Sequence, residues 1–122
     1  TLLVSGDELT VRGDGHFIER AVINLLNNAI RHAKSQVIVE VYQTDNAVNI
    51  AVNDDGSGVE PALASRIFDP FFRPDNSRVR YAGGAGLGLA IVQRIQLWHQ
   101  GSASVTSSRS LRGACFILSY PL

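Results

Sequence analysis

The fold is constrained most by the way in which the candidate strands occur in adjacent pairs. The runs "QVIVEVYQT" (36–44) and "AVNIAVNDD" (47–55) alternate apolar and polar residues, are rich in β-branched residues and leave room for only a tight turn. A second pair, "SASVTSS" (102–108) and "ACFILSY" (114–120), is joined by a short polar segment. Strands that pair in this way form hairpins, and hairpins interspersed with helices predict an α+β fold.

Two helices are predicted from the spacing of apolar residues. Residues 15–33 place apolar side chains at intervals of three and four, and Asp14 is a candidate N-cap. A second helix is predicted at about 86–99. Residues 61–69 are predicted to form a short helical piece with Pro61 in its first turn.

Two further elements are predicted. A short strand followed by a turn is expected at 9–14, and a long loop is expected at 69–86. The loop has prolines, charges and glycines without periodicity, and loops of that length in compact domains are usually either functional lids or disordered. The length of 122 residues suits one domain, so 1–122 is predicted to be a single domain. The predicted architecture is a two-layer α/β sandwich, with helices on one face of a mixed sheet.

Composition restricts the function classes. The formal net charge is zero, so no broad basic field is available for nucleic acid or an anionic membrane. No apolar run approaches the roughly 18 residues that a membrane span needs. The chain starts at Thr1 and contains no methionine, so we expect a fragment of a longer protein, with any membrane-bound part outside it. The single cysteine, Cys115, lies in an apolar run and is interpreted as a core residue.

The first predicted helix carries an unusual cluster of amides. Asn24, Asn28 and His32 recur every four residues and so share one helix face, with Arg31 beside it. Asparagine is a poor residue for helix interiors, because its side chain competes for backbone hydrogen bonds. The cluster is either a solvated face or a set of neutral oxygen ligands that line a pocket for a cation or a polar ligand.

The segment "NDDGSGV" ends the second strand of the first hairpin. It places the carboxylate of Asp54 beside Gly56 and Gly58, where a flat ligand can approach the backbone closely. Such a carboxylate can accept a hydrogen bond from an exocyclic amine of the kind that adenine carries. Ordinary turns use the same residue types, so the segment alone leaves both interpretations open.

Two features of the long loop favour an anion. Arg73 and Arg78 can each offer phosphate two parallel hydrogen bonds, although exposed loop arginines also serve solubility. Gly84, Gly86 and Gly88 lead into the second predicted helix, whose first turn has unpaired N–H groups and the positive end of the helix dipole. Neither a Walker nor a Rossmann motif is present. Together with the amides and the carboxylate, these features indicate a nucleotide pocket.

In this order, the segments resemble the ATP-binding catalytic domain of two-component sensor histidine kinases. That family belongs with DNA gyrase, the mismatch-repair ATPases and the heat-shock-ninety chaperones. The segments similar to its Asn box, first glycine box, Phe box and second glycine box are "NLLNNAIRHA", "DDGSG", "FDPFFR" and "GGAGLGLAIV". The resemblance covers about Val11 to Leu122. It implies about three helices packed on a mixed five-stranded sheet of the Bergerat type, with a long lid over ATP.

The resemblance implies a role for each matching residue. Asn28 would coordinate the Mg²⁺ that bridges the phosphates, Asn24 would support that site and Arg31 would reach phosphate oxygens, which makes them the candidate catalytic residues. Asp54 would accept the adenine amine, with His32 stacking near the base. The other expected ATP contacts lie in the glycine boxes, the Phe box and the lid: Gly56, Gly58, Phe72, Arg73, Arg78, Gly84, Gly86, Leu87 and Gly88.

Two residues depart from the family pattern. Ala114 stands where the family usually has threonine, so a hydroxyl near the adenine pocket is missing. Gln100 stands in a turn that is more usually His-Gly-Gly.

Asn24 also indicates what happens to ATP. Relatives that hydrolyse ATP resemble one another in placing a glutamate one helical turn before the metal-binding asparagine, as the general base for water. An amide cannot take a proton at neutral pH, and Glu19 is off that stripe. The chain is therefore predicted to transfer the γ-phosphoryl group to a separate acceptor, which in this family is a histidine.

The acceptor is expected outside the chain, because His16, His32 and His99 do not lie in the family's phosphoacceptor context. The expected partners are a helical dimerisation and phosphoacceptor domain before Thr1 and the receiver domain of a response regulator. The whole protein is expected to be homodimeric and anchored in the bacterial inner or plasma membrane, with this domain in the cytoplasm. Two alternatives remain open: an anti-sigma-type serine protein kinase and a non-catalytic ATP-binding regulatory module.

Overall fold

The computed structural model describes residues 2–6, 9–11, 13–69 and 88–122. Along the chain these residues form β1 (Leu2–Gly6), α1 (Gly15–His32), β2 (Val37–Gln43), β3 (Ala47–Asp54), a 3-10 helix (Pro61–Leu63), α2 (Gly88–Trp98), β4 (Ser102–Ser107) and β5 (Ala114–Pro121). None of the described helices is long and apolar enough to cross a membrane.

The strands form one mixed sheet in the order β1-β2-β3-β5-β4. β1 pairs in parallel with β2, and every other neighbouring pair is antiparallel. The two predicted hairpins are β2–β3 and β4–β5, and the sheet has the five strands that the resemblance implied. About three helices were expected on this sheet, whereas the described residues contain two α-helices and one 3-10 helix.

The helices cover one face of the sheet. The buried side chains of α1 are Ala21, Leu25 and Ala29, and Val92 and Ile95 are buried on α2. They form one hydrophobic core with the inward-facing residues of the sheet, which include Val37, Val39, Val52, Phe116, Leu118 and Tyr120. The α+β sandwich is therefore held together by burial of apolar surface between two layers.

The predicted start of α1 is confirmed. Asp14 has an extended backbone, and its Oδ1 accepts hydrogen bonds from the backbone N–H groups of His16 (2.9 Å) and Phe17 (3.3 Å). Side-chain acceptors at this position satisfy N–H groups that have no partner within the helix.

The predicted first strand is wrong. Residues 9–11 form no strand, and the edge strand is β1, which comes earlier in the chain. The apolar character of Val11 has another cause, because this side chain packs against the hydrophobic core. β1 escaped prediction because "LLVSG" is short and does not alternate, so periodicity carries no signal there.

Cys115 does not lie in the core as expected. Burial alternates along β5, and Cys115 is a half-buried residue between the core residues Ala114 and Phe116, so it occupies the face opposite the helices. Burial, with the nearby charges of Glu40 and Asp54, raises the pKa of Cys115 to about 11. The residue is therefore a neutral thiol at pH 7 and not an activated nucleophile.

Candidate functional site

Asp54 is a buried carboxylate at the end of β3. It is 2% exposed, and its Oδ1 accepts hydrogen bonds from the backbone N–H groups of Gly56 (2.9 Å) and Ala114 (3.2 Å). Both bonds use the same carboxylate oxygen. The carboxylate is thus fixed in orientation by β5 and by the turn that follows β3.

The start of β5 supports this carboxylate, which the sequence did not show. A Cβ atom at Gly113 would lie 2.5 Å from Asp54 Oδ1 and 2.6 Å from the Gly56 nitrogen, so only glycine fits there. Ala114 presents a methyl group where the resemblance expects a hydroxyl, while its backbone N–H still holds Asp54. The missing hydroxyl therefore leaves the anchoring of Asp54 intact.

The two described glycines of the first glycine box have different constraints. A Cβ atom at Gly56 would collide with the carbonyl oxygen of His32, the last residue of α1. Room for a flat ligand was the expected reason for Gly56, but the structure shows that close packing of α1 already requires a glycine. Gly58 has a φ of 82°, in the left-handed region that glycine adopts without strain.

The amide stripe on α1 borders the core as predicted. Leu25 and Ala29 are buried, and Asn24 and Asn28 beside them are half-buried, whereas Asn27 is exposed. The amides at 24 and 28 are therefore not a simply solvated helix face. They are placed between the core and the surface, where a polar ligand can reach them.

Two further contacts bring the ends of three elements together around this stripe. Asn24 Nδ2 donates to the carbonyl oxygen of Gly88 at 3.4 Å, which joins α1 to the first residue of α2. At its C-terminal end α1 carries Arg31, which is exposed, and His32, which is half-buried and packs on Gly56 next to Asp54. The structure thus places the candidate residues of α1 between the end of β3 and the start of α2.

Asp55 belongs to this site although the sequence did not single it out. Its carboxylate accepts hydrogen bonds from the backbone N–H groups of Lys34 (2.7 Å) and Ser35 (3.0 Å) and from Ser35 Oγ (2.8 Å). The pKa of the Asp55 carboxyl is held well below its usual range, chiefly by the hydrogen bond from the backbone N–H of Ser35. The hairpin register could have revealed this pairing, because a turn centred on residues 45–46 places Asp55 opposite Gln36.

Several predicted contacts cannot be placed in the same way. They lie outside the described residues, and their roles stay predictions: Phe72, Arg73, Arg78, Gly84, Gly86 and Leu87.

The fold and the site together define a nucleotide-binding domain of the α+β class, with a buried acceptor on one side and amides and a cationic side chain on the other. Residues 13–122 match the family described as histidine kinase-, DNA gyrase B-, and HSP90-like ATPase. The chain belongs to this family.

The relatives are sensor kinases. The chain is 39% identical over 118 residues to the sensor histidine kinase CusS of Escherichia coli O6:H1, and 44% identical over 109 residues to the sensor protein RstB of Escherichia coli strain K12. These matches cover 95% and 89% of the chain but 24% and 25% of the relatives. The chain therefore spans about a quarter of the length of the curated relatives that it matches.

Solved structures agree with this assignment. The mycobacterial sensor histidine kinase MprB superposes with a TM-score of 0.84 at 30% identity, covering 98% of this chain and 80% of that chain. The full-length structure of ShkA in complex with AMPPNP gives a TM-score of 0.78 at 27% identity, covering 98% and 25%. The prediction of an ATP-binding catalytic domain of the histidine kinase type is confirmed.

Proposed function

We propose that the chain binds Mg·ATP and donates the γ-phosphoryl group to a histidine on a separate phosphoacceptor domain. The observation that carries the choice of transfer over hydrolysis is Asn24. It stands one helical turn before Asn28, and its amide donates to the carbonyl oxygen of Gly88, so this position offers no base to activate water. Glu19, the one acidic residue of α1, is exposed and five residues earlier.

Asp54 supports adenine as the base. Its carboxylate is anchored through Oδ1, and we propose that Oδ2 accepts a hydrogen bond from the exocyclic amine of adenine. Guanine presents a carbonyl oxygen at the equivalent position, and two acceptors cannot bond to each other. We propose that His32 packs near the base and that Gly56 and Gly58 shape the adjoining backbone.

The residues of the site fit magnesium. The described part of the chain has no group of three or more histidine, cysteine, aspartate or glutamate residues that could hold a metal ion. Mg²⁺ does not need such a group, because it is commonly bound by one or two protein oxygens together with substrate phosphates. We propose Asn28 as the protein ligand and Arg31 as a phosphate contact. When bound, the metal ion would neutralise charge on the phosphates.

The remaining ATP contacts proposed here lie at or before the start of α2. The first turn of α2 begins at Gly88, and backbone N–H groups at a helix N-terminus favour phosphate. The lid residues proposed to complete the site are Phe72, Arg73, Arg78, Gly84, Gly86 and Leu87. Their task would be to orient the nucleotide and to exclude water from it.

The whole protein is proposed to be longer than this domain. The two relatives, named a sensor histidine kinase and a sensor protein, are about four times as long as the matched segment. We propose that residues 1–122 form the single catalytic domain of a homodimeric, membrane-anchored sensor kinase. The acceptor histidine would lie in a helical dimerisation domain before this segment, the catalytic domain would be cytoplasmic, and the phosphoryl group would pass to the receiver domain of a response regulator.

The test separates binding from transfer. Calorimetric titration of the chain with Mg·ATP is expected to show saturable binding. Incubation with γ-labelled ATP and the upstream helical domain, added in trans, is expected to label a histidine of that domain faster than free phosphate is released. A helical domain with that histidine replaced by glutamine is the control. Label on serine of a partner protein would contradict the histidine acceptor, and binding without any transfer would indicate a regulatory module.

A further inference from the structure

The side chain of Asp55 joins the end of β3 to the turn after α1. The Asp55 carboxylate accepts hydrogen bonds from the backbone N–H groups of Lys34 (2.7 Å) and Ser35 (3.0 Å) and from Ser35 Oγ (2.8 Å). The backbone N–H of Asp55 donates in turn to the carbonyl oxygen of Gln36 at 3.3 Å. Hydrogen bonds to a carboxylate are stronger than those between neutral groups, so this is a firm junction.

This junction lies between the two halves of the proposed ATP site. Asp54, the proposed adenine acceptor, precedes Asp55 directly, and Asp54 has its own anchors on Gly56 and Ala114. The proposed metal and phosphate contacts lie on α1, whose last residue, His32, packs closely on Gly56. The side chain of Asp55 accepts its hydrogen bonds from the turn that follows α1.

We propose that Asp55 is a positioning residue, which sets the distance and orientation between the base acceptor on β3 and the phosphate-side residues on α1. The inference rests on the proposed function, because ATP is the ligand whose base and phosphates would contact the two elements that this junction joins. ATP contacts both elements at once, so a shift of α1 against Asp54 would weaken the binding of the whole nucleotide. Adenosine lacks the phosphates and depends on the β3 side, so its binding should change little.

The chain offers a matched control at the other end of α1. Asp14 also accepts hydrogen bonds from two backbone N–H groups, but it is remote from Asp54 along an 18-residue helix. Asp14→Ala and Asp55→Ala therefore each remove a carboxylate that accepts backbone N–H groups, at the start of α1 and just beyond its end. A purely stabilising role of Asp55 predicts that both variants, when folded, bind ATP like the wild type.

The experiment measures affinities for Mg·ATP by calorimetry and for adenosine by NMR titration, with circular dichroism to verify folding. Asp55→Ala is expected to lose on the order of tenfold in Mg·ATP affinity, as charge-assisted bonds that orient a site are lost, and less than about twofold in adenosine affinity. Asp55→Asn keeps one acceptor oxygen and is expected to lose less. Ser35→Ala, which removes only the hydroxyl donor, is expected to lose least, and Asp14→Ala should match the wild type.

The outcomes are distinguishable. Equal Mg·ATP affinities of folded Asp55→Ala and Asp14→Ala would overturn the positioning role and leave the ATP-binding function intact. An equal loss of adenosine and ATP affinity would also overturn it, since the effect would then act on the base side alone. A wild type that does not bind Mg·ATP would remove the proposed function and this inference with it. If Asp55→Ala does not fold, the Mg·ATP affinities of Asp55→Asn and Ser35→Ala provide the test. The proposal expects a larger loss in Asp55→Asn than in Ser35→Ala, and wild-type affinity in both variants would overturn it.

Discussion

An aspartate carboxylate accepts backbone N–H groups near each end of α1, but the two aspartates differ in how far along the chain their partners lie. At the N-terminal end, Asp14 accepts from backbone N–H groups two and three residues later. At the C-terminal end, Asp55 accepts from Lys34 and Ser35, which are 21 and 20 residues earlier in the chain. The first contact is a local cap, and the second joins the helix to another layer of the fold.

The ends also differ in what they connect. The backbone N–H of Asp14 donates to His99 Nε2 at 3.0 Å, and His99 Nδ1 lies 2.8 Å from the carbonyl oxygen of Ile95. This network assigns the proton to Nδ1 and fixes the N-terminal end of α1 against the end of α2. The other end is about 27 Å away, from the rise per residue, and is fixed against the strand that carries Asp54. The helix thus has one structural end and one end that carries the residues proposed to contact the nucleotide.

The largest effect is expected from a residue in the half of α1 that is proposed to contact the ligand. Asn28→Ala should lower Mg·ATP affinity by on the order of a hundredfold, because Mg²⁺ takes few protein ligands and the loss of one has no substitute. Calorimetric titration measures the affinity, and the melting temperature reports whether the fold is intact. Asn27→Ala is the matched control, since Asn27 is the adjacent amide but is exposed and off the stripe.

Removal of the metal sharpens this prediction. A chelator should reduce the ATP affinity of the wild type to about that of Asn28→Ala, and it should change the affinity of the variant only slightly. Undiminished Mg·ATP binding by Asn28→Ala, or an equal loss in Asn27→Ala, would show that Asn28 is not the metal ligand.

The next effect is on base selectivity. Asp54→Asn can keep the anchoring oxygen that faces Gly56 and Ala114, while an NH₂ group replaces Oδ2. The variant would then present a donor to the adenine amine and a matching donor to the guanine carbonyl. The preference for ATP over GTP, measured as a ratio of dissociation constants, should fall by roughly tenfold to a hundredfold, as for a polar contact left unpaired. An unchanged ratio in a folded variant would remove Asp54 from the base site.

Whether a residue of the site could be predicted depends on how far along the chain its partners lie. Asp14 was recognised because its partners lie within one turn, and Leu25 and Ala29 were assigned to the core because helical periodicity repeats over the whole of α1. Asp55 and Gly113 were missed, because their partners are distant in sequence, in the turn after α1 for Asp55 and at the end of β3 for Gly113. Local signals thus gave the elements and the amide stripe, and the contacts between elements needed the fold.

Two errors in the predictions for the sheet have related physical causes. β1 is a short edge strand whose pairing with β2 is set by the sheet and not by its own alternation. Cys115 lies in an apolar run, and only the register of β5 against β3, with Cys115 opposite Asn53, shows that it occupies the face away from the helices. Apolar character alone therefore could not show which strand β1 pairs with or which face of the sheet Cys115 occupies.

The pH dependence of stability should distinguish Asp55 from an ordinary surface carboxylate. Its pKa is lowered in the folded state, chiefly by the backbone N–H of Ser35. A depressed folded pKa gives stability that is fully present above the unfolded value of about 4 and is lost as the pH falls through the folded pKa. The melting temperature of the wild type should therefore exceed that of Asp55→Asn at pH 7, and the difference should narrow below about pH 4. A constant difference down to pH 2 would contradict the assignment.

The smallest effect concerns how the two helices end. Ala33 closes α1 with a negative φ of −67°, whereas α2 ends in a left-handed residue, Gln100, with a φ of 58°. The N–H groups of Gly101 and Gln100 donate to the carbonyl oxygens of Gln96 (2.8 Å) and Leu97 (3.2 Å), the pattern of a Schellman motif, in which glycine is favoured at the left-handed position.

The same substitution should therefore act with opposite sign at the two helix ends. Gln100→Gly should raise the free energy of unfolding by about 0.5–1 kcal/mol, because it relieves the left-handed conformation by more than the added freedom of the unfolded chain costs. Ala33→Gly should lower it by a similar amount, since Ala33 has an ordinary backbone conformation and packs against the core. Urea unfolding measures both. A loss of stability in Gln100→Gly would mean that the Gln100 side chain makes a compensating contact, and Mg·ATP affinity should stay unchanged because this end of α2 lies beside the structural end of α1.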